Sequence, residues 1–389
     1  MLRIAQVIAT LAPSHGGPSF VAMGMSRALA RRGHKVLLLT SDRAGEAPAA
    51  GSLAADGVDY RLFRERFPRS FAYSPGLSKA VFELAPQLDL IHIHGLYLHS
   101  TIAAGRAGLR HNVPYIVRPA GSLDPYHVGR KRLKKALFNS LIHDRIMRGA
   151  AALHFTTKVE EEISQPHALG RPGIVVPNGL DLPPSRGSLA SGMLRRRFPE
   201  IGDRKIVLFL GRVNYKKGFE VLIPAFAQIL KERDDVHLVI AGNDDGYMSK
   251  TEQLITEFDV SRRVTLAGFM GGHEKQEALV DASIFVLPSY SENFANAAFE
   301  ALAAGVPAII SNKVNSWPEI QEAGAAVVVE PEVSELTAAL TSLLDNRPRR
   351  EEMAARAEAF VRRNYSWDSV AEKLEAEYDA IISRRESST

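Results

Sequence analysis

Cysteine is absent from the 389 residues. Its absence excludes a disulfide framework, a thiolate nucleophile and any Cys-ligated metal site, and it is compatible with a reducing compartment. Long apolar runs are lacking as well. The opening "MLRIAQVIATLAPSHGG" holds one early Arg and a short apolar stretch before Pro13, too little for a signal peptide and far too little for a membrane span. The expectation is a first β-strand in a cytoplasmic protein. Also missing is the G-x-G-x-x-G spacing of a dinucleotide site, which argues against a nicotinamide dehydrogenase. What is present is a chain 46% hydrophobic and 24% charged, long enough for two domains with substantial cores.

The net charge of +4 conceals an asymmetry. Up to Asn178 there are 23 Lys and Arg against 12 Asp and Glu, a net +11, whereas the remainder carries a net −7. A basic first half suits an anionic membrane surface, an acidic lipid-linked molecule or nucleic acid; a solvated surface whose charges segregate is the plainer reading.

Short apolar runs alternate with longer helical patterns. "RIAQVIA", "KVLLLT", "DLIHIHG" and "VPYIVRP" read as strands, and the stretch from Ser19 to Arg32, closed by Gly33, reads as a helix. The composition turns to Pro, Gly and Ser near "VVPNGLDLPPSRGSLASG", after which "KIVLFLG", "VHLVIAGN", "VTLAGF" and "SIFVLPS" restart the rhythm. The expectation is an α/β protein of two parallel-sheet domains, 1–178 and 204–365, joined by a linker over 179–203, with a last helix in 366–389 that crosses back to the first domain and ends in a frayed tail.

In open α/β sheets, ligands bind beyond the carboxyl ends of strands, where loops present backbone N–H groups and helix N-termini. Three such loops stand out. In "LAPSHGGPSF", Gly16 and Gly17 allow a backbone to approach a phosphate or sugar closely, although a tight turn needs glycines too. In "FLGRVNYKKGFEVLI", Arg212, Lys216 and Lys217 gather where a helix dipole already favours an anion; the plain alternative is a solvated basic loop. In "SYSENFANAAFEALAAGVP", Glu292 lies in a polar loop and Glu300 among alanines in the first turns of a helix. Eight helical residues turn through roughly 800°, about 80° from eclipsed, so a helical path does not stack the two carboxylates, whereas a loop-borne Glu292 can lean over the helix start. Both then address one ligand from different heights, or else they are a capping and a buried structural carboxylate.

Gly16-Gly17, "PNGLD", "GRVNYKKG", "AGN" and "PSYSENFANAAFEALAAGVP" together resemble the retaining glycosyltransferases of family 4, on the GT-B fold of two Rossmann-like domains whose sheets face across a cleft. The resemblance spans nearly the whole chain. It implies that Glu292 bonds hydroxyls of a donor sugar, that Glu300 bonds the ribose of its nucleotide, and that Arg212 and Lys217 bind the donor diphosphate. It further places backbone groups of Phe294, Ala295, Asn296 and Ala297 against sugar and phosphate, Gly242 among the donor-binding residues, Phe269 at the base, and Gly16 and Gly17 against the donor from the other domain. The implied donor is a UDP- or GDP-linked sugar. No metal and no other cofactor is implied, because positioned cations stabilise the departing diphosphate. The implied acceptor is a glycan or lipid-linked oligosaccharide of cell-surface polysaccharide assembly, with no nucleic acid partner.

One departure matters. Many members carry a His in the loop after the strand matching "VPYIV", whereas this chain reads "RPAGSLDPYHVGRKRLKK" and resembles a branch with an "RGMLDPW"-like segment. Asp124, Arg118 and, at the neighbouring strand end, His94 become candidates for contact with acceptor or donor. The plain alternatives are a turn cap for Asp124 and simple packing for one of His92 and His94. Beyond them, Leu133, Leu137 and Leu141 stripe a helix surrounded by Arg130, Lys131, Lys134 and Lys135, a basic amphipathic pattern suited to the cytoplasmic face of an anionic inner membrane or to a wet helix face on the core. From another class, a nucleotide-sugar 2-epimerase shares the architecture and differs by acting without an acceptor.

Overall fold

The computed structural model describes residues 1–12, 17–42, 53–124, 143–183 and 191–387. The chain divides into two compact units, one of Met1–Gly179 with the segment from Trp367 onward, the other of Leu180–Ser366.

The first unit holds a seven-stranded parallel sheet of β1 (Arg3–Ile8), β2 (Lys35–Asp42), β3 (Val58–Arg64), β4 (Leu90–His94), β5 (Tyr115–Arg118), β6 (Ala152–Phe155) and β7 (Gly173–Val175), in the order β3-β2-β1-β4-β5-β6-β7. The second holds six parallel strands, β8 (Lys205–Leu210), β9 (Val236–Ala241), β10 (Val264–Gly268), β11 (Ile284–Leu287), β12 (Ala308–Ser311) and β13 (Ala326–Val329), in the order β10-β9-β8-β11-β12-β13. The central strands are buried on both faces, which is why they read as unbroken apolar runs rather than alternations. In each sheet the strand order reverses once, between β1 and β4 and between β8 and β11. These are the two switch points at which doubly wound sheets open a crevice.

Of the stretch expected as a linker, the described residues from Leu180 onward group with the second unit. Pro, Gly and Ser do mark the boundary, but Leu180, Leu194 and Ile201 bury themselves in the second core, and Asp281 accepts the backbone N–H groups of Gly192 and Leu194. Burying three apolar side chains outweighs the local preference of the sequence for loop.

The last helix, Trp367–Glu386, belongs to the first unit. Val370, Leu374, Tyr378 and Ile381 join the core beneath the helix Gly17–Arg31, and Glu375 pairs with Arg32 and His34 at 2.6 and 2.7 Å. The indole of Trp367 lies so close to Gly24 and Gly179 that a Cβ on either would fall 2.0 or 2.2 Å from a ring carbon. Gly24→Ala should therefore destabilise the first unit by about 1–3 kcal/mol through overpacking. Urea unfolding monitored by circular dichroism would test this, and an unchanged midpoint would mean that the ring moves aside freely.

Candidate functional site

At the carboxyl end of the second sheet, four loops are stitched together by their backbones. The loop after β8 pairs with the loop after β9 through Val213 N–H to Asn243 O (2.8 Å) and Asp245 N–H to Val213 O (2.9 Å). It also accepts the Tyr290 N–H on Lys216 O at 2.7 Å, from the loop after β11. That third loop is locked to the loop after β12, because Glu292 N–H donates to Lys313 O at 3.0 Å and Glu292 O accepts from Asn315 N–H at 2.9 Å. Two glycines make the approach feasible. A Cβ on Gly218, which sits at φ +72° as the N-cap of the helix Phe219–Leu230, would meet Pro288 O at 2.1 Å, and one on Gly242 would meet Gly211 O at 1.7 Å.

On this frame the Lys217 ammonium contacts Glu292 Oε1, each side chain less than a fifth exposed. Lys217 comes from the loop after β8 and Glu292 from the loop after β11, so the pair straddles the switch point. Arg212 sits on the rim, 71% exposed, with Nη1 2.8 Å from Asp245 Oδ2. Asn214 donates to the same oxygen at 2.9 Å and, through its own Oδ1, accepts from Lys216 N–H at 3.1 Å.

The helix Asn296–Ala303 starts beside this pair. Its N-cap is Ala295 at φ +62°, ψ +60°, a left-handed residue without glycine's freedom. Such a conformation costs roughly 1–2 kcal/mol and marks a turn that the surroundings enforce. The Phe294 ring is buried, stacked on Phe299 at 4.3 Å, and its carbonyl accepts from Ser316 Oγ, so Phe294 can serve a ligand only through its backbone. Asn296 and Ala297 occupy the first turn, where helix N–H groups lack intrahelical acceptors.

Glu300 is not swallowed by its alanines. Ala298, Phe299, Ala301, Leu302 and Ala303 take the buried face, while Glu300 stays a quarter exposed with Oε1 2.6 Å from Lys275 Nζ. Lys275 lies 25 residues away on the helix Gly272–Asp281, and nothing local in the sequence points to it. Phe269, at the end of β10, is 63% exposed.

The sites expected in the first unit fare differently. Gly17 opens the helix Gly17–Arg31, whereas Gly16 and the basic segment with Arg130, Lys131, Lys134 and Lys135 lie outside the described residues. Asp124 donates its N–H to Gly121 O at 3.2 Å in the turns that follow β5. His94 and Arg118, the candidates for contact with acceptor or donor, are register partners at the ends of β4 and β5 and are each 2% exposed. His94 Nε2 bonds Gln6 Oε1 at 2.7 Å. His92 bonds Tyr378 Oη at 2.6 Å and His154 at 3.1 Å. Burial keeps these three imidazoles neutral, with the Arg118 charge and the neighbouring imidazoles adding to the shift. Arg118 donates from Nη2 to Asn178 Oδ1 at 2.5 Å, and burial lowers its pKa to about 10, still a cation near neutrality.

The switch point of this doubly wound unit presents a cation, a carboxylate and a helix N-terminus, groups that can pair with phosphate oxygens and with hydroxyls. Two family models match the chain in succession, a glycosyl transferase 4-like domain over residues 16–179 and glycosyl transferases group 1 over residues 193–360. The chain belongs to the group 1, family 4-like glycosyltransferases, and its fold is GT-B. An uncharacterized glycosyltransferase of Methanocaldococcus jannaschii is 33% identical over 180 residues, 46% of each chain. The gpi3 subunit of a Schizosaccharomyces pombe phosphatidylinositol N-acetylglucosaminyltransferase is 25% identical over 386 residues, 95% of this chain and 79% of the yeast one. Among solved structures, Anabaena HepE in complex with UDP and glucose superposes with a TM-score of 0.76 at 17% identity, over 97% of this chain and all of the other. The match to the archaeal relative thus spans about half of that protein's length.

Proposed function

We propose that this glycosyltransferase moves a sugar from a UDP- or GDP-linked donor to a glycan or lipid-linked glycan acceptor, with retention at the anomeric carbon and without a metal, in cell-surface polysaccharide assembly. The observation that carries the reading is the Lys217–Glu292 pair at the β8/β11 switch point. Breaking the bond from an anomeric carbon to a diphosphate leaves charge on phosphate oxygens and an electron-poor sugar. Lys217 is placed to take up the first as a compact charge, and Glu292, a fixed acceptor, is placed to hold sugar hydroxyls. The contact between them is exchanged for contacts to the two sides of the bond that breaks. Arg212, on the rim, adds charge for the diphosphate. These two cations support metal-independent departure of the leaving group.

The donor class is supported by the Anabaena neighbour, which was crystallised with UDP and glucose, and a lipid-borne acceptor by the yeast relative, whose name specifies phosphatidylinositol. No helix among the described residues is long and apolar enough to cross a membrane. Attachment to an anionic cytoplasmic leaflet is part of the proposal and rests on the net +11 of the first 178 residues.

The test is a screen of nucleotide sugars followed by transfer to lipid-linked glycans from membranes, with the anomeric configuration of the product read by NMR. Inversion would remove the retaining mechanism, and a 2-epimer formed without acceptor would turn the assignment to an epimerase. Lys217→Ala should raise the donor KM and lower kcat, together by about 10²-fold or more. Unchanged kinetics would take the diphosphate role away from it.

A further inference from the structure

The Lys275–Glu300 contact has a use that the transfer reaction alone does not assign. On the helix Gly272–Asp281 the acidic side chains have partners other than Lys275, Glu274 with Arg197 and Glu277 with His273, both at 3.6 Å, and Asp281 with the backbone of Gly192 and Leu194. The Lys275 ammonium meets only Glu300 among the described residues, at 2.6 Å from Oε1, and Glu300 Oε2 has no protein partner among them. The two side chains are 27% and 26% exposed. An ion pair so placed does little for stability.

It does constrain geometry. A glutamate has three side-chain torsions, and freezing it costs rotamer entropy that a ligand must otherwise supply on binding. The same helix begins just after Phe269, so the ion pair also ties the turn bearing that exposed ring to the helix bearing the carboxylate.

We infer that Lys275 is the positioning residue of a ribose site: it pins Glu300 through Oε1, presents Oε2 to the vicinal hydroxyls of a nucleotide ribose, and fixes that carboxylate relative to Phe269. The inference rests on the reading that Glu300 meets the ribose. It assigns to Lys275 selectivity for ribonucleotides and no contact with the phosphates.

The test uses the full chain and calorimetric titration with UDP and GDP and with their 2′,3′-dideoxy counterparts. Wild type should prefer the ribonucleotide by about tenfold or more, the worth of hydrogen bonds to a charged acceptor. Glu300→Ala should abolish that preference. Lys275→Met should lower ribonucleotide affinity about three- to fivefold. It should leave dideoxynucleotide affinity and the melting temperature unchanged, and Lys275→Arg should restore the preference. Full ribose preference in Lys275→Met would overturn the inference, as would equal weakening of ribo- and dideoxynucleotides, which marks a phosphate contact or a damaged fold. Retained preference in Glu300→Ala would overturn the ribose reading itself, and binding of neither nucleotide by wild type would overturn the donor assignment with it.

Discussion

Glu292→Gln should abolish measurable sugar transfer while the protein remains folded. Glutamine keeps the size of the side chain, and the backbone of residue 292 stays clamped between Lys313 and Asn315. What changes is the charge opposite Lys217. A neutral amide is a weaker acceptor for sugar hydroxyls, and it leaves the ammonium without its counter-charge in a site less than a fifth exposed. Losing a preorganised charged contact at a reacting centre costs about 10²–10³-fold in rate. The stability cost should be about 1–3 kcal/mol, below that of breaking a fully buried pair because glutamine still offers an oxygen to the ammonium. Initial rates of nucleotide release in the presence of acceptor, together with a thermal melt, separate the two effects. Turnover close to wild type would remove Glu292 from the reaction.

The second large effect is acid unfolding that starts in the first unit. His92 and His94 are held well below the ordinary imidazole range by burial, with the Arg118 charge and the His154 imidazole adding to the shift; His154 is lowered to about 3 and His143 to about 4, chiefly by burial. All four belong to the first unit, whereas in the second only His237, lowered to about 4, is comparable. An unfolded histidine titrates near 6.5. Below that pH the unfolded chain takes up protons that the folded chain refuses, so the stability present above pH 6.5 is lost as the pH falls toward the folded values. Each such group contributes up to about 1.4 kcal/mol per pH unit, so the first unit should weaken several times more steeply than the second. The sequence supplies a reporter for each, since its two tryptophans are Trp317 in the second unit and Trp367 in the first. In the variant Trp317→Phe, the remaining fluorescence should show a transition between pH 6 and 4 that calorimetry resolves from a later one. A single concerted transition would contradict this.

The strands, the order of the units and the loops beyond the strands' carboxyl ends were legible because parallel strands leave unbroken apolar runs and switch-point loops concentrate glycine and charge. The same property hid the fate of His94 and Arg118. A strand buried on both faces has no polar alternation to show that its last side chain turns inward, so a histidine at a strand end looks alike whether it meets a ligand or a glutamine. Glu300 was legible as one member of a spaced pair, but Lys275 was not, since ion pairs between helices leave no period in the sequence. Glycine and proline announced the unit boundary without showing that Leu194 and Ile201 dock onto the second core.

The return of Trp367–Glu386 to the first unit imposes an order on synthesis. As the chain leaves the ribosome, residues 1–179 emerge first but cannot close their core, for Trp367, Leu374 and Tyr378 have not yet been made. The second unit is continuous from Leu180 to Ser366 and can finish earlier. Of the two units, the one translated earlier is therefore the later to mature, and in the interval the surface around Val21, Met25 and Leu29, afterwards covered by the helix Trp367–Glu386, is an apolar liability that a chaperone would recognise.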